Sequence, residues 1–205
     1  MIQKIGLKLI FVVGLTALLI MGIYSVVNIK FQNEVLLNEV ERHSNQLSET
    51  IKHSTRYDML SNRREHISNI VATIGEEPCI REVQILNKEG MVVYSADSND
   101  IGNFVEYESE MCQLCHFSDE ALHEIPINAR TRIFRMHPDS GRVLGMISPI
   151  YNDKSCSNAD CHAHDSKQRV LGILDVTICL KDVDENVYQS EVKMVIFALI
   201  WYNFM

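Results

Sequence analysis

Two short runs of cysteine and histidine define the chemistry open to this chain. They are Cys112-Gln113-Leu114-Cys115-His116 and Cys156-Ser157-Asn158-Ala159-Asp160-Cys161-His162. A C-x-x-C-H run is an attachment pattern for c-type haem: two thiols form thioethers with the vinyl groups of one haem, and the adjoining imidazole meets the iron as an axial ligand. The second run has four residues between its cysteines instead of two. The extra residues can bulge outward without moving the cysteines or the histidine, so it reads as a looser variant of the same motif. Cys112, Cys115, Cys156 and Cys161 are therefore candidates for binding two haem c groups, with His116 and His162 as proximal iron ligands.

Two other chemistries use the same thiols. Four thiolates at paired spacings suit a tetrahedral zinc ion, and two disulfides suit an oxidising compartment. Neither accounts for a histidine directly after each second cysteine. Of the six cysteines, Cys79 and Cys179 are left over. Cys179 lies in a strand-like run and reads most simply as a small buried apolar residue. A bond between the two could form, which sequence alone does not establish. The net charge of −8 gives no general basic surface for nucleic acid. There is no nucleophile motif, phosphate loop or H-E-x-x-H run to support an enzyme.

The elements that must position these motifs begin with a membrane anchor. Leu9 to Val27 is an uncharged, largely apolar run of nineteen residues, about enough to cross a bilayer as a helix. Lys4 and Lys8 precede it, which puts the N-terminus in the cytoplasm and the rest of the chain in the periplasm, outside a bacterial inner membrane. A cleaved signal peptide is the alternative, but the run is long and no small-x-small cleavage site follows it. The expected division is residues 1–28 as anchor, 29–191 as the periplasmic domain and 192–205 as the start of a second, truncated transmembrane helix.

From Lys30 to Gly75 the pattern is helical, with Phe31, Val35, Leu36, Val40, Leu47 and Ile51 on one stripe. A polar patch at 54–62 breaks it, and Ser61 is the expected cap of a second helix whose buried face is Ile67, Ile70, Val71 and Ile74. The first helix is also where a homodimer would pair. Strands follow: 80–86 and 91–94 form a hairpin around Asn87-Lys88-Glu89-Gly90, and 131–136 and 142–147 form another around His137-Pro138-Asp139-Ser140-Gly141. Pro149 predicts that the latter strand ends there or lies at an edge. A last strand runs from Arg169 to about Leu180. The quartet Arg-Val-Leu-Gly occurs at 142 and at 169 and reads as two similar strands. The first motif precedes the strand at 131, and the second follows the strand ending near 150. The open ends of that hairpin lie together, with strands about 4.8 Å apart, so both haems are expected at one end of the sheet.

With these residues in view, the chain resembles the extracytoplasmic haem-binding sensor region of membrane-bound bacterial histidine kinases. The most specific stretch runs Arg132-Ile-Phe-Arg, Arg142-Val-Leu-Gly, Tyr151-Asn152, Cys156-x4-Cys161-His162-Ala163-His164 and Val170-Leu-Gly-Ile-Leu-Asp-Val176. The resemblance implies an α+β, PAS/Cache-like fold: a long helix, an antiparallel sheet with two haem-bearing loops, and a C-terminal helix returning to the membrane. It also implies a two-haem sensor for two-component signal transduction, detecting redox state or a diatomic gas. No dimerisation helix, phospho-accepting histidine or ATP-binding domain follows within these residues, so nothing in them could phosphorylate a partner. The second reading is a membrane-anchored dihaem cytochrome relaying electrons. For the sixth iron positions the candidates are His164, His123, His137, Met111, Met136 and Met146; His164 is too close to His162 to reach the far face of the same haem but could serve the other. His43, His53 and His66, on the helices, read as solvated.

Overall fold

The computed structural model describes residues 2–106, 126–157, 164–165 and 167–204. They divide into two compact units. One is Met1–Glu39 with Lys181–Met205, the other Val40–Leu180.

The first unit is helical. Helix α1 spans Ile2–Leu60; its N-terminal part contains an 18-residue window of mean hydropathy 2.1, of which 6% is buried. That is long and apolar enough to cross a membrane. Among the described residues it is the one helix that meets this test. The last helix, α4, spans Lys181–Phe204. It opens with Asp182 and Asp184, which suit a helix N-terminus, and later exposes Val195, Ile196, Phe197, Leu199 and Ile200.

The second unit holds the sheet. α1 ends in a Schellman motif: Asn62 takes the left-handed conformation at φ 51, Arg63 N donates to Asp58 O at 2.8 Å, and Asn62 N donates to Met59 O at 3.2 Å. Asparagine is among the few non-glycine residues that enter this region cheaply. Ser61 therefore finishes α1 and does not cap the next helix, as its type had led us to expect. The residue before α2 (Arg64–Gly75) is Arg63, which makes no side-chain cap. Ile67 and Val71 of α2 are buried as the stripe predicts.

Strands β1 (Ile80–Asn87) and β2 (Val92–Ser95) form the expected hairpin. Asn87 Oδ1 accepts from the amides of Glu89 and Met91 at 3.0 and 2.9 Å, and Gly90 supplies φ 81. β3 (Thr131–Phe134), β4 (Val143–Tyr151) and β5 (Val170–Cys179) complete an antiparallel sheet of order β2-β1-β5-β4-β3. Val83, Ile85, Leu174, Val176 and Ile178 form its core face, packed with Ile51 of α1 and Ile67 and Val71 of α2.

Pro149 lies inside β4, which continues to Tyr151. β3 pairs only with Val143 to Met146, so beyond that stretch β4 has no described strand on its outer side. Ile147 points its amide outward to Arg130 O at 2.9 Å. Pro149 is in phase with Ile147, so its missing N–H falls on the open side and costs no ladder bond. The edge expectation thus holds locally, within a strand flanked by β5 and β3.

The repeated quartet has a shared spatial reason. A Cβ on Gly172 would lie 2.3 Å from Leu86 O, and one on Gly145 would lie 2.7 Å from the guanidinium carbon of Arg132. Each glycine lets something cross close to its strand: a neighbouring backbone in one case, an arginine in the other.

Candidate functional site

Register fixes which ends of the strands share a neighbourhood. Asn87 pairs with Gly172, and Tyr151 pairs with Val170. The end of β1, the end of β4 and the start of β5 therefore meet at one end of the sheet. The connection bearing the second motif joins β4 to β5 there. The stretch bearing the first motif leaves from the same end, because Val105 N donates to Gly90 O at 2.9 Å, beside the β1–β2 turn. Cys112, Cys115, His116, Cys161 and His162 lie outside the described residues, as do Met111 and His123. The two motif-bearing segments thus depart from one end of the sheet, and the expectation that both motifs lie there falls outside the described residues.

Cys156 and His164 are described. Cys156 sits on a single-turn helix, α3 (Lys154–Ser157), where its amide donates to Asp153 O at 2.8 Å. His164 N donates to Cys156 O at 3.3 Å, so the chain through the second motif starts and returns at the same point. Asn152 ties the base of this connection. Its amide donates to Arg169 O at 2.9 Å, and its Nδ2 donates to Asp165 O at 2.9 Å and Gln168 O at 2.7 Å.

α1 holds the same connection from the other side. Arg56 Nη2 lies 2.8 Å from Asp153 Oδ2 and donates to Ser155 Oγ at 2.8 Å. One turn earlier, Lys52 Nζ pairs with Glu49 at 2.7 Å and donates to Pro149 O at 3.4 Å. Residues three and four apart on a helix share a face, so Glu49, Lys52, His53, Arg56 and Leu60 form one wall.

Between that wall and the sheet end is a cleft of about 620 Å³, within the range of small-molecule and cofactor sites. Met59, Ile67, Ile85, Leu86, Val93 and Leu171 make it apolar, its rim carries the Lys52–Glu49 and Arg56–Asp153 pairs together with Arg64, and Cys156 and His164 line it. Tyr94 also lines it; burial lifts its hydroxyl above the ordinary value, with Arg64 pulling the other way. Tyr151 Oη and Asn152 Oδ1 are shielded from solvent and have no hydrogen-bond partner among the described residues.

The other sixth-ligand candidates are elsewhere. His137 and Met136 lie in the β3–β4 turn, next to the Phe134–Val143 pair at the opposite end of the sheet, and Met146 is fully buried in β4. His66 is bound to the buried Asp58 at 2.5 Å. His53 borders the cleft, a placement its helical surroundings in sequence did not reveal. Among the described residues no group of three or more His, Cys, Asp or Glu is placed to hold a metal ion.

The opposite end of the sheet is cross-linked. Cys79 and Cys179 form a disulfide with Cα atoms 5.2 Å apart, and Cys179 N donates to Cys79 O at 2.8 Å. Of the two readings left open for these cysteines, the bond is the one the structure shows, and the simpler reading of Cys179 as a buried apolar residue gives way: the antiparallel register of β1 and β5 brings the two together. On the sheet face opposite the core, Arg132 reaches over Gly145 to make a two-pronged pair with Asp175, at 3.1 and 2.8 Å. Burial pushes Asp175 up from its ordinary value against the pull of Arg132. Glu82 nearby is raised to about 7, first by burial, then by the charges of Asp175 and Asp100.

No family model matches the chain, and no curated protein matches it. Among solved structures, the periplasmic domain of RsbU from Chlamydia trachomatis is similar at 13% identity and a TM-score of 0.39, over 76% of this chain and 56% of that one. A likeness at that level carries no argument about fold or function.

Proposed function

We propose that this is a membrane-anchored c-type dihaem sensor, whose Val40–Leu180 unit lies outside the bacterial inner membrane and reports redox state or a diatomic gas to a two-component signalling output. The observation that carries this reading is the cleft: apolar within, with Cys156 on its wall and both motif-bearing segments leaving the sheet beside it. A haem is a flat, mostly apolar ring, and the apolar lining suits it. Tyr151 Oη, shielded in that lining and without a hydrogen-bond partner among the described residues, also marks a place for a polar partner.

Haem, when bound, supplies an iron whose oxidation state and sixth position both respond to the surroundings. The chain's own residues do the rest. Cys156 and Cys161 with His162 hold one group, and Cys112 and Cys115 with His116 hold the other. Apolar side chains would pack against the ring. Arg56 and Lys52 tie the second-motif connection to α1, so a change at that motif is felt by the helix that also carries the apolar anchor. The disulfide supports an oxidising compartment, and the N-terminal apolar helix supports a membrane attachment.

The test is expression of the full chain in a periplasm with and without haem-attachment machinery. Intact mass and visible spectra are then recorded oxidised, reduced, and reduced under carbon monoxide. Two covalent haems are expected only with the machinery, with a carbon monoxide shift if the signal is a gas. Two attached haems with no shift point to redox sensing or to electron relay, and a chain that takes zinc in place of haem ends the proposal.

A further inference from the structure

We propose that Glu82 and Thr177 form a proton-operated latch between β1 and β5. It is open when the Glu82 carboxyl is ionised and closed, by a hydrogen bond to the Thr177 hydroxyl, when that carboxyl is protonated. The latch needs no bound group and stands apart from the haem reading.

Alternation along the strands puts Val83 and Val176 on the core face and turns Glu82, Gln84, Asp175 and Thr177 to the other. Register sets Glu82 opposite Thr177 and Gln84 opposite Asp175, a spacing that a glutamate side chain can bridge. Thr177 is fully buried, and its Oγ1 has no hydrogen-bond partner among the described residues. A buried hydroxyl left unpaired is costly, so a group that reaches it is favoured. Glu82 is half-buried and makes no hydrogen bond or ion pair with any described residue.

The charges around Glu82 decide when it can reach inward. Asp175 faces it from β5, Asp100 from the short turn Ser98–Asp100, and Arg132 from β3. Ser95 of β2 and Gly145 and Ile147 of β4 bring no charge to this face. Arg132 is already engaged by Asp175, and Asp100 accepts from Gln84 Nε2 at 3.1 Å and Ser95 Oγ at 3.2 Å. Three carboxylates thus share one cation. An ionised Glu82 is repelled by the other two and turns to solvent, whereas a neutral one can fold in and donate to Thr177. Burial first, then Asp175 and Asp100, lift the group to about 7, so the latch closes as pH falls through neutrality. The β1–β5 ladder is irregular between Ile80 and Glu82, and such breaks re-aim side chains. The nearby Cys79–Cys179 bond keeps the two strands joined when the latch opens.

The experiment is an infrared titration of the full chain from about pH 5 to about pH 9, spanning the shifted value. Wild type is compared with Glu82→Gln, Thr177→Val and, as control, Glu89→Gln in the exposed β1–β2 turn. The difference between wild type and Glu82→Gln isolates one carboxyl, whose protonated C=O band is expected to vanish with a midpoint near 7. Removing the hydroxyl takes a bond from the neutral form, so Thr177→Val should lower that midpoint by roughly half to one pH unit. Glu89→Gln should leave it in place. Absence of the band at low pH overturns the latch. So does a midpoint that Thr177→Val leaves unmoved or raises, since the hydroxyl then serves neither form or the ionised one. Should Thr177→Val fail to fold, the position of the wild-type band decides: a frequency typical of a hydrogen-bonded carboxyl supports the latch, and that of a free one overturns it.

Discussion

Arg132 and Asp175 hold opposite charges where little water can reach either: their side chains are 12% and 0% exposed. The pair is costly to make and costlier to break, because removing one partner strands the other. Arg132→Ala is therefore expected to lower unfolding free energy by roughly 3–5 kcal/mol in urea denaturation. The double change Arg132→Met with Asp175→Leu should recover most of that loss, and a single variant as stable as wild type would show that Asp175 finds another partner. Glu82 behaves differently. Its folded value of about 7 lies above its ordinary 4.5, so the folded state binds the proton more tightly than the unfolded chain. Its favourable contribution is complete below about pH 4.5 and is lost as pH rises through 7. Wild-type Tm should fall across pH 5 to 8 relative to Glu82→Gln, and parallel curves for the two proteins would refute the assignment. In the sequence Arg132 and Asp175 are forty-three positions apart. Each looked like one charged residue in a strand, and nothing local marked Gly145 as the gap through which they meet.

At the scale of elements, what could be read from the sequence was what local chemistry decides. The alternation of 80–86 and the Asn87–Gly90 turn gave the first hairpin, because the turn's hydrogen bonds and its positive φ lie within five residues. The stripe at 67, 70, 71 and 74 gave α2. The misplaced cap came from a competition of the same kind: Ser61 is a good N-cap by type, but Asn62 took the left-handed position first and closed α1 with backbone bonds. The cleft could not be read, since Lys52, Tyr94, Tyr151 and Gly172 come together only through sheet order. Nor could the disulfide, whose cysteines are 100 residues apart. Its loss is expected to cost about 2–5 kcal/mol, by freeing a long loop in the unfolded chain. Cys79→Ser with Cys179→Ser should lower Tm accordingly, as should dithiothreitol on the wild type, and equal Tm values in both comparisons would show that the bond adds nothing.

At the scale of the whole molecule, the sheet of the Val40–Leu180 unit has two unlike ends. One is closed by the Cys79–Cys179 bond and the paired strands around it. The other opens into the cleft, where the second-motif connection is tied by the Arg56 side chain from α1 and by Asn152 and a few backbone hydrogen bonds at its own base. Exposed pairs such as Arg56–Asp153 contribute little to global stability, so their effect belongs to local opening. Arg56→Ala is expected to leave the unfolding free energy within about 1 kcal/mol of wild type while speeding amide exchange several-fold at 153–157 and 164–165 and sparing β1 and α2. Unchanged exchange in that stretch would mean that α1 does not restrain the motif.

The cross-link also constrains how the protein is made. In the order of the chain the cysteines are 79, 112, 115, 156, 161 and 179, so the native bond joins the first to the last and encloses the other four. An oxidase that joins thiols as they emerge during export would pair Cys79 with Cys112. The native bond needs Cys79 to stay free until β1 and β5 pair, or the inner thiols to be occupied first as the proposed haem attachment would do, or a wrong bond to be undone by an isomerase. On the proposed haem reading, biogenesis of this domain becomes a matter of timing, in which thioether formation at the inner cysteines competes with their oxidation.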